Sequence, residues 1–453
     1  MTSRLAEFEI RGLFGLYSHR IRINLAERIT IIIGPNGRGK TVCLKFIEAF
    51  FKKKFAYFRT IPFSMAQFTF SGGEAVTIVP SADGERTADG GSFQKMIFTI
   101  EVPGNDTKSW TPGTMDNNLN REIRRFIGSD WRQADYNLWI DDRDGEEIDL
   151  DELTTRFNLP SKLISALRHN VPAEFDVLVG PIDCYLIETQ RLLVLPKNEN
   201  NEFETFVHAG RRMRRPAAGG LAIQEKAAKL KSIFKDKLSE SANLSQSLDR
   251  TFPLRVFDAQ GSVKFSNEQL RQELRKLDER REAFMAAGIL DTDYQPVTMR
   301  SGEIEPGVAK ALEIYVSDTT QKLNTFNDLY ARVDLLKELM ASRFIDKTIQ
   351  IDRENGFKIR SKTGMNVPLE KLSSGEQHQL ILVFDLIFEV SKNSLILIDE
   401  PELSLHVAWQ RTFIEGLEKI ILLNEFDVIL ATHSPALIAK HFDLTVELGP
   451  VDG

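Results

Sequence analysis

Cysteine is scarce in this chain, and long apolar runs are missing. Its 453 residues include only two cysteines, Cys43 and Cys184, too few for a disulfide framework. Such scarcity is typical of a reducing compartment. The longest apolar strings, such as Leu395–Ile398 and Ile420–Leu423, have the length of a core strand. They fall far below the roughly 18 residues of a membrane span, and the first residues lack the apolar core of a signal peptide. We therefore expect a soluble, cytoplasmic protein without a membrane partner.

An excess of positive charge is also missing. The chain carries 58 Lys and Arg against 65 Asp and Glu, a net charge of −7 at pH 7. This balance excludes a surface that is cationic throughout and coats nucleic acid, although it leaves room for a local basic patch. Hydrophobic residues make up 42% and charged residues 27%, close to the globular average, which excludes a disordered chain. The length predicts one to three domains.

A glycine-rich segment near the N-terminus carries the most specific motif. Thr30–Ile33 predicts a buried strand, and Val42–Phe51 has the pattern of a helix. The intervening residues match G-x-x-x-x-G-K-[ST] in the strand–loop–helix setting that this motif requires. They are Gly34, Pro35, Asn36, Gly37, Arg38, Gly39, Lys40 and Thr41. Glycines let backbone N–H groups and the helix N-terminus surround phosphate oxygens, while the lysine reaches the β and γ phosphates and the threonine hydroxyl binds Mg²⁺.

An acidic pair follows a second apolar strand near the other end of the chain. The predicted strand Ser394–Ile398 leads directly into Asp399 and Glu400. A carboxylate at the end of a buried strand suits a Mg²⁺ ligand, and the adjacent Glu400 is placed to polarise an attacking water as general base. Two ordinary acids at a strand end would look the same. The glycine-rich motif in the same chain favours the catalytic interpretation.

Two further segments have weaker signals. Leu372–Gln377 reads Leu-Ser-Ser-Gly-Glu-Gln and precedes a helical pattern at Leu380–Val390. Its Ser-Ser-Gly turn suits an anion site of hydroxyl and N–H groups, but taken alone it is better explained as a plain helix N-cap. Asp427–Ala431 predicts another strand, which ends at Thr432 and His433. His433 suits contact with a γ-phosphate, although a single histidine is more often structural.

In this order, the four elements resemble those of the ABC-type ATPases, and more closely the soluble branch that includes the Rad50, SMC and RecF proteins. The resemblance covers about the first 50 and the last 90 residues well, and the middle by topology alone. It implies an α/β fold: an ABC-ATPase head with a P-loop mixed sheet and an antiparallel β subdomain, plus a helical or coiled-coil insert. It also implies ATP and Mg²⁺ as substrate and cofactor.

The resemblance assigns roles to individual residues. Gly34–Thr41 would be the Walker A loop, Ser394–Glu400 the Walker B strand, Leu372–Gln377 the signature motif and Ser404–His406 the D-loop. The implied catalytic residues are Lys40, Glu400 and His433, the last as the switch histidine. The implied nucleotide contacts are Asn36, Gly37, Arg38, Gly39, Lys40 and Thr41, with Ser373, Ser374, Gly375 and Glu376 supplied by a second subunit. Ser374 and Glu376 depart from the family's usual Gly and Gln.

The implied Mg²⁺ ligands are Thr41, Asp399 and a Q-loop glutamine. Gln190 is our candidate, because it ends the strand-like segment Asp183–Gln190. Gln67 and Gln94 are weaker candidates, since they lie in hairpin-like segments. Tyr17 and Arg11 loosely match the region where the family contacts the base.

Three regions are expected along the chain. Residues 1–215 would form ATPase lobe I with a β-rich elaboration, 216–345 a helical or coiled-coil insert, and 346–453 lobe II. Period-two runs predict antiparallel hairpins at Gln67–Phe70, Ala75–Val79, Lys95–Glu101 and Asn137–Ile140. Long helices are predicted at Leu221–Leu248, Asn267–Ala287 and Gly307–Arg343, followed by a strand at Lys347–Ile351. The helix predicted at Gly307–Arg343 carries an apolar stripe. Packing within the insert and a subunit or partner interface explain this stripe equally well.

Residues 210–220 look like a flexible linker that carries the basic cluster Arg211–Arg215. The cluster is explained equally well by a solvated linker or by contact with a phosphate backbone or an acidic protein.

The plan of the chain resembles the stand-alone ATPases of bacterial antiphage systems, first those of PARIS systems and then those of Septu systems. This resemblance implies a homo-oligomeric scaffold of head-to-tail ATPase dimers that holds a separate Toprim-type nuclease inactive. A phage-encoded trigger, such as an acidic DNA mimic, would release the nuclease. About twenty residues follow His433, so we expect the effector to be another polypeptide. A DNA-repair ATPase of the RecF or Rad50 kind is the alternative, and a transporter's nucleotide-binding subunit fits the large insert poorly.

Overall fold

The computed structural model describes residues 3–86, 92–112, 117–135, 138–143, 145, 147–160, 162–163, 171–188, 204–208, 211–215, 219–258, 265–291, 303–405 and 407–449. The chain divides into two compact units, Met1–Pro216 with Val390–Gly453, and Ala217–Glu389. The predicted boundary near residue 216 coincides with this division. Residues 346–389, assigned from sequence to lobe II, group with the helices instead, because they pack against them. The three-part functional division remains a prediction.

The strands, in chain order, are β1 (Leu5–Leu13), β2 (Tyr17–Arg22), β3 (Ile29–Ile33), β4 (Met65–Phe70), β5 (Ala75–Arg86), β6 (Ser92–Glu101), β7 (Lys108–Trp110), β8 (Trp131–Asp135), β9 (Leu138–Asp141), β10 (Glu147–Asp149), β11 (Cys184–Glu188), β12 (Glu204–His208), β13 (Arg211–Arg215), β14 (Lys347–Asp352), β15 (Gly356–Ser361), β16 (Asn366–Val367), β17 (Leu395–Asp399), β18 (Asp427–Ala431) and β19 (Thr445–Glu447).

The helices are α1 (Lys40–Phe51), α2 (Tyr57–Thr60), α3 (Asn117–Ile127), α4 (Leu150–Phe157), α5 (Ala173–Val179), α6 (Gly219–Phe257), α7 (Asn267–Ala286), α8 (Pro306–Asn324), α9 (Asn327–Ala341), α10 (Ser374–Phe388), α11 (Val407–Gln410), α12 (Phe413–Asn424) and α13 (Pro435–Ile438). Within the described part of the chain, none is long and apolar enough to cross a bilayer.

A parallel sheet with the strand order β11–β17–β18–β3–β19 organises the first unit. Strands β3, β17 and β18 are apolar and almost fully buried, as expected for parallel strands covered on both faces. The strands are in register, with Glu188 opposite Asp399 and Asp399 opposite Ala431. Their carboxyl ends therefore meet at one edge, where the loops that carry the predicted motifs begin.

An antiparallel sheet with the order β2–β1–β4–β5–β6–β7 lies in the same unit, which confirms the predicted mixed α/β head and its hairpins. Its buried face shares an aromatic core with α1. The ring of Phe50 in α1 stacks on that of Phe68 in β4, with centroids 3.8 Å apart, and Phe8 in β1 lies 4.9 Å from Phe68. This core fixes α1 against the sheet and so positions the loop that precedes it.

A second, smaller core was not predicted. Helices α3 and α4 and the antiparallel sheet β10–β9–β8 enclose a separate cluster. Trp131 and Trp139 are buried there together with Ile123, Ile148 and Leu153. The sequence between residues 117 and 163 therefore forms a module with its own apolar centre.

The prediction of a linker at residues 210–220 is wrong for Arg211–Arg215. These residues form β13, which pairs with β12 in antiparallel register, so that Glu204 lies opposite Arg215 and Phe206 opposite Met213. The basic composition suggested an unstructured segment. The β-branched and aromatic residues of β12 provide the partner strand, which only the hairpin context reveals.

The prediction of one helix over Gly307–Arg343 is also wrong. Helix α8 ends at Asn324 and α9 begins at Asn327. The hydroxyl of Thr325 donates to the carbonyl of Lys322 at 2.7 Å, a local bond that competes with helix continuation. The stripe residues Phe326, Leu329, Val333, Leu336 and Met340 are all buried, which favours packing inside the unit over an exposed interface.

A buried ion-pair cluster joins α6 to α10 within the second unit. Lys226 is 5% exposed and contacts the carboxylates of Asp385 and Glu389, the latter at 3.1 Å. Its ammonium also lies 5.9 Å from the ring centre of Phe384. Because a buried charge is costly unless it is paired, this cluster stabilises the position of α10 relative to α6.

Arg343 is also a buried cation, but unlike Lys226 it forms no ion pair with the described residues. Its guanidinium follows α9, is 6% exposed, and has an Nη1 without a hydrogen-bond partner among the described residues. Burial lowers the pKa of Arg343 to about 10. A base with a lowered folded-state pKa destabilises the fold at every pH below that pKa, and the penalty shrinks as the pH rises through it.

We therefore expect Arg343→Met to raise the free energy of unfolding at pH 7 by about 1–3 kcal/mol, the usual penalty for a buried, unsatisfied polar group. Urea unfolding at pH 7 measures the difference. Arg332→Met is the control, because Arg332 donates to the carbonyl of Ile387 and pairs with Asp328. The control should lose stability. A loss for Arg343→Met of similar size would contradict the account.

Candidate active site

The glycine-rich loop between β3 and α1 has a backbone that only glycine adopts readily. Gly37 and Gly39 have φ angles of 80° and 88°. A Cβ on Gly39 would lie 2.9 Å from Cδ2 of Leu13, so a side chain there would force the buried Leu13 side chain to shift. Gly39 is also the N-cap of α1, and no side chain caps the helix. The N–H groups at this helix end therefore face the loop without a side-chain acceptor, the arrangement that binds anions.

Lys40 is buried at the centre of this loop. Its Nζ donates to the carbonyls of Gly34 at 2.9 Å and Pro35 at 3.3 Å, and it contacts Nε2 of His433. Burial lowers the pKa of Lys40, while the nearby carboxylates, Glu400 foremost, act in the opposite direction. The ammonium group of Lys40 thus lies at the carboxyl edge of the sheet, where backbone carbonyls surround it.

Thr41 and Asp399 bring two oxygen ligands together from different elements. The hydroxyl of Thr41, in the first turn of α1, donates to Oδ2 of Asp399 at 2.8 Å. Asp399 ends β17, whose neighbour β18 separates it from β3 in the sheet. Hydroxyl and carboxylate oxygens are the protein ligands that Mg²⁺ prefers.

Glu400 has a backbone conformation that is unusual for its residue type. Its φ is 47°, in the left-handed region, and its N–H donates to the carbonyl of Ala431 at 2.9 Å. Such a conformation costs on the order of 1–2 kcal/mol, and the surrounding structure must hold it in place. Oε1 of Glu400 lies 3.8 Å from Nε2 of His433. Strain at this position fits a side chain that is positioned for function.

Glu402 belongs to the same group of residues, and sequence reasoning missed it. Its Oε1 accepts the backbone N–H of His433 at 2.7 Å, and its Oε2 is buried without a hydrogen-bond partner among the described residues. Gln410 accepts the hydroxyl of Ser434 at 2.7 Å, which adds a second contact to the loop that bears His433. The only signal in the sequence was a third acid two residues beyond Glu400.

The first hairpin borders the loop. The guanidinium of Arg38 lies 5.3 Å from the ring centre of Tyr17, and the same ring stacks on His19 at 5.9 Å. Nε2 of His19 lies 2.8 Å from the carbonyl of Arg38. Tyr17 is thus a neighbour of the loop, whereas Arg11 pairs with Glu9 at 2.6 Å, and a base contact by either residue remains a prediction.

In the second unit, Leu372–Gln377 forms the start of α10. The hydroxyl of Ser373 accepts the N–H of Glu376 at 3.3 Å, and Glu376 accepts the N–H of Ser373 at 2.9 Å, a reciprocal capping box. Burial raises the pKa of Glu376, but the ion pair with Lys347 at 2.7 Å and the hydrogen bonds with Ser373 outweigh this effect. The pKa of Glu376 is therefore lowered. The N-cap interpretation is confirmed. Whether the segment Leu372–Gln377 also binds an anion remains a prediction.

Other predicted residues lie apart from this group or outside the structure. Gln67 is in β4, where it donates to Thr77 at 3.3 Å, and Gln94 is in β6. Gln190 and His406 lie outside the described residues.

A parallel sheet with a glycine-rich loop, an enclosed lysine and an acidic pair at its carboxyl edge defines a P-loop ATPase fold of mixed α/β type. The model of the AAA ATPase domain family AAA_15 matches residues 4–438, and the chain belongs to this family. The family binds and hydrolyses ATP, usually with Mg²⁺.

Individual relatives are distant. The chain is 28% identical over 142 residues to the retron Vc95 probable ATPase of Vibrio cholerae serotype O1 biovar El Tor. That match spans 27% of this chain and 27% of the relative. The chain is also similar to the Smc head domain of Pyrococcus furiosus bound to the C-terminal domain of ScpA, at 14% identity and a TM-score of 0.33, over 97% of this chain and 92% of that one. The SMC head domain of Thermotoga maritima is 11% identical, with a TM-score of 0.32, and the match covers 98% of this chain and 94% of that one.

Proposed function

We propose that this chain is the ATP-hydrolysing sensor and scaffold of a bacterial antiphage system. The observation that carries the ATPase part is the convergence of Lys40, Thr41, Asp399, Glu400 and His433 on one sheet edge. The similarity to a retron ATPase supports the association with defence.

The residues present fit ATP and Mg²⁺. No side chain caps the N–H groups at the start of α1, which leaves them available to a phosphate, and a Cβ on Gly39 would press on the side chain of Leu13. Thr41 and Asp399 place two oxygens 2.8 Å apart, a donor set suited to a hard cation that keeps phosphate and water ligands as well. When bound, Mg²⁺ supplies positive charge that stabilises the charge developing on the phosphate oxygens.

In the proposed mechanism each side chain has a separate task. Lys40 binds the β and γ phosphates and neutralises their charge. Glu400 accepts a proton from the attacking water, because it directly follows the Mg²⁺-ligand candidate Asp399 and its Oε1 lies 3.8 Å from Nε2 of His433. The imidazole of His433 contacts the ammonium of Lys40, which places it to contact the γ-phosphate. Glu402 acts as a positioning residue, since it holds the backbone of His433.

A second copy of the chain completes the site in this proposal. Ser373, Ser374 and Gly375 are exposed or half-exposed at the start of α10. A Cβ added to Gly375 would meet no atom of the described residues within 4 Å, and its φ is not in the left-handed region. Nothing in the described part of this chain therefore demands a glycine there. Close approach of another molecule supplies a reason, and ATP between the P-loop of one copy and α10 of another is the proposed arrangement.

The proposed function also involves partner proteins. The chain would form a homo-oligomer that holds a separate nuclease inactive, of the Toprim type if it works like AriA of PARIS systems, with PtuA of Septu systems as the second resemblance. A phage-encoded protein would trigger release. DNA repair is the competing function, and it predicts DNA-stimulated ATP hydrolysis.

Phage challenge tests this function. Cells carrying the native locus should lose protection when Lys40→Met replaces the loop cation, because ATP binding then fails. Lys52→Met is the matched control, since Lys52 follows the far end of α1 and pairs with Glu48 at 2.7 Å. Plaque counts measure protection. Full protection by Lys40→Met would contradict the proposal, as would protection lost equally in both variants.

A further inference from the structure

The second unit contains a groove that the proposed ATPase site does not use. It has a volume of about 820 Å³ and runs between helix α6 and the turn that joins β14 to β15. One wall is formed by Lys231, Lys235, Leu238 and Ala242 of α6. These residues follow one another at four-, three- and four-residue steps, so they share one face of the helix.

The opposite wall is a turn held firmly against α6. Arg353, Glu354 and Asn355 line it, and the N–H of Asn355 donates to Oδ1 of Asp352 at 2.6 Å. Gly356 has a φ of 73°, and an added Cβ would collide with the carbonyl oxygen of Ala227 in α6. The backbone of the turn therefore packs directly on the helix. The groove is a fixed feature of this unit and not a gap between loose segments.

The groove lining is cationic. Lys231 and Lys235 are exposed, and neither has an ion-pair partner among the described residues, whereas Lys237 on the same helix pairs with Glu240 at 2.8 Å. The two lysines lie one helical turn, about 6 Å, apart. Arg353 adds a third cation, partly neutralised by Asp291, and Glu354 is the one acid among the described residues that line the groove.

The remaining lining residues distinguish between classes of polyanion. Leu238 and Ala242 continue the cationic face as an apolar strip, and the described residues that line the groove include no aromatic side chain. A single-stranded nucleic acid is usually held by aromatic stacking along a cationic track, which this groove lacks. A polypeptide that alternates carboxylates with aliphatic side chains matches both parts of the lining.

We infer that this groove binds an acidic, partly aliphatic segment of a partner protein. The carboxylates of that segment would pair with Lys231, Lys235 and Arg353, and its aliphatic side chains would pack on Leu238 and Ala242. The inference rests on the proposed function in one respect, because it identifies the groove as the place where a protein trigger or effector docks.

Fluorescence anisotropy tests the inference on the full-length chain. The probe is a fluorescein-labelled peptide of repeated Glu-Glu-Leu triplets, compared with a Lys-Lys-Leu peptide and with single-stranded and duplex DNA. The double variant Lys231→Glu/Lys235→Glu should bind the acidic peptide at least about tenfold more weakly, since like charges then face each other. The control, Lys229→Glu/Arg250→Glu, makes the same charge change at two exposed α6 positions outside the lining. It should stay within about twofold of the wild type, because rim charges far from a contact contribute little.

Equal weakening in both double variants would overturn the inference, because it would show attraction to overall charge alone. Absence of peptide binding by the wild type would overturn it too, as would tighter binding of DNA that depends on Lys231 and Lys235. ATP hydrolysis is measured on the same preparations. An active ATPase that fails to bind the peptide removes only this inference, whereas an inactive wild type counts against the proposed function itself.

Discussion

Replacing Glu400 by glutamine is expected to lower the rate of ATP hydrolysis about 10²- to 10⁴-fold while ATP still binds. The carboxylate is the proposed general base, and an amide cannot accept the proton. Glutamine has nearly the same shape, so the left-handed backbone at φ 47° and the N–H bond to Ala431 should persist. Single-turnover hydrolysis measures the rate, and retention of labelled ATP measures binding. Size-exclusion chromatography should show that ATP traps an oligomer of this variant.

Glu402→Gln provides the matched comparison. Glu402 lies two residues further on and accepts the N–H of His433, a bond that a glutamine oxygen can also accept. This variant should retain most of the activity. If Glu402→Gln abolishes hydrolysis and Glu400→Gln does not, the general base has been assigned to the wrong carboxylate.

Gly375→Ala is expected to reduce hydrolysis about tenfold or more while it stabilises the fold. Within its own chain the added methyl group meets no described atom, and alanine in a helix stabilises by about 0.4–1 kcal/mol relative to glycine. In a close-packed contact with a second copy the same methyl group costs about 1–3 kcal/mol, which lowers the rate. Thermal unfolding and steady-state hydrolysis measure the two effects.

Gly307→Ala is the control for this variant. Gly307 holds the second position of α8, as Gly375 does in α10, and a Cβ there also meets no described atom within 4 Å. Gly307→Ala should stabilise the fold and leave hydrolysis unchanged. Undiminished hydrolysis by Gly375→Ala would contradict a site completed by a second copy.

The strands and the loop at the site could be predicted from the sequence, because their own residue types indicate their conformation. The strand Asp427–Ala431 has the predicted bounds, and β3 begins one residue earlier than expected. Both are short apolar runs, and β3 is rich in β-branched residues, a composition typical of buried parallel strands. The loop was equally predictable, because the glycines at 37 and 39 are required by their own backbone angles.

The errors arose where contacts, and not the composition of a segment, decide the structure. The strand Arg211–Arg215 depends on its pairing with β12, and the break between α8 and α9 on the bond from Thr325 to the carbonyl of Lys322. Glu402 was missed because its contact with His433 joins segments 31 residues apart.

A mixing experiment tests the central claim, that each ATPase site is shared between two copies. Lys40→Met and Gly375→Ala are purified separately, and each alone should hydrolyse ATP poorly. A mixed dimer contains one site with both an intact loop and an intact α10. Mixing equal amounts should therefore restore about a quarter of the wild-type rate, since half of the dimers are mixed and each has one good site. If exchange of subunits is verified and the mixture shows only the sum of the separate rates, the site lies within one chain and the account is contradicted.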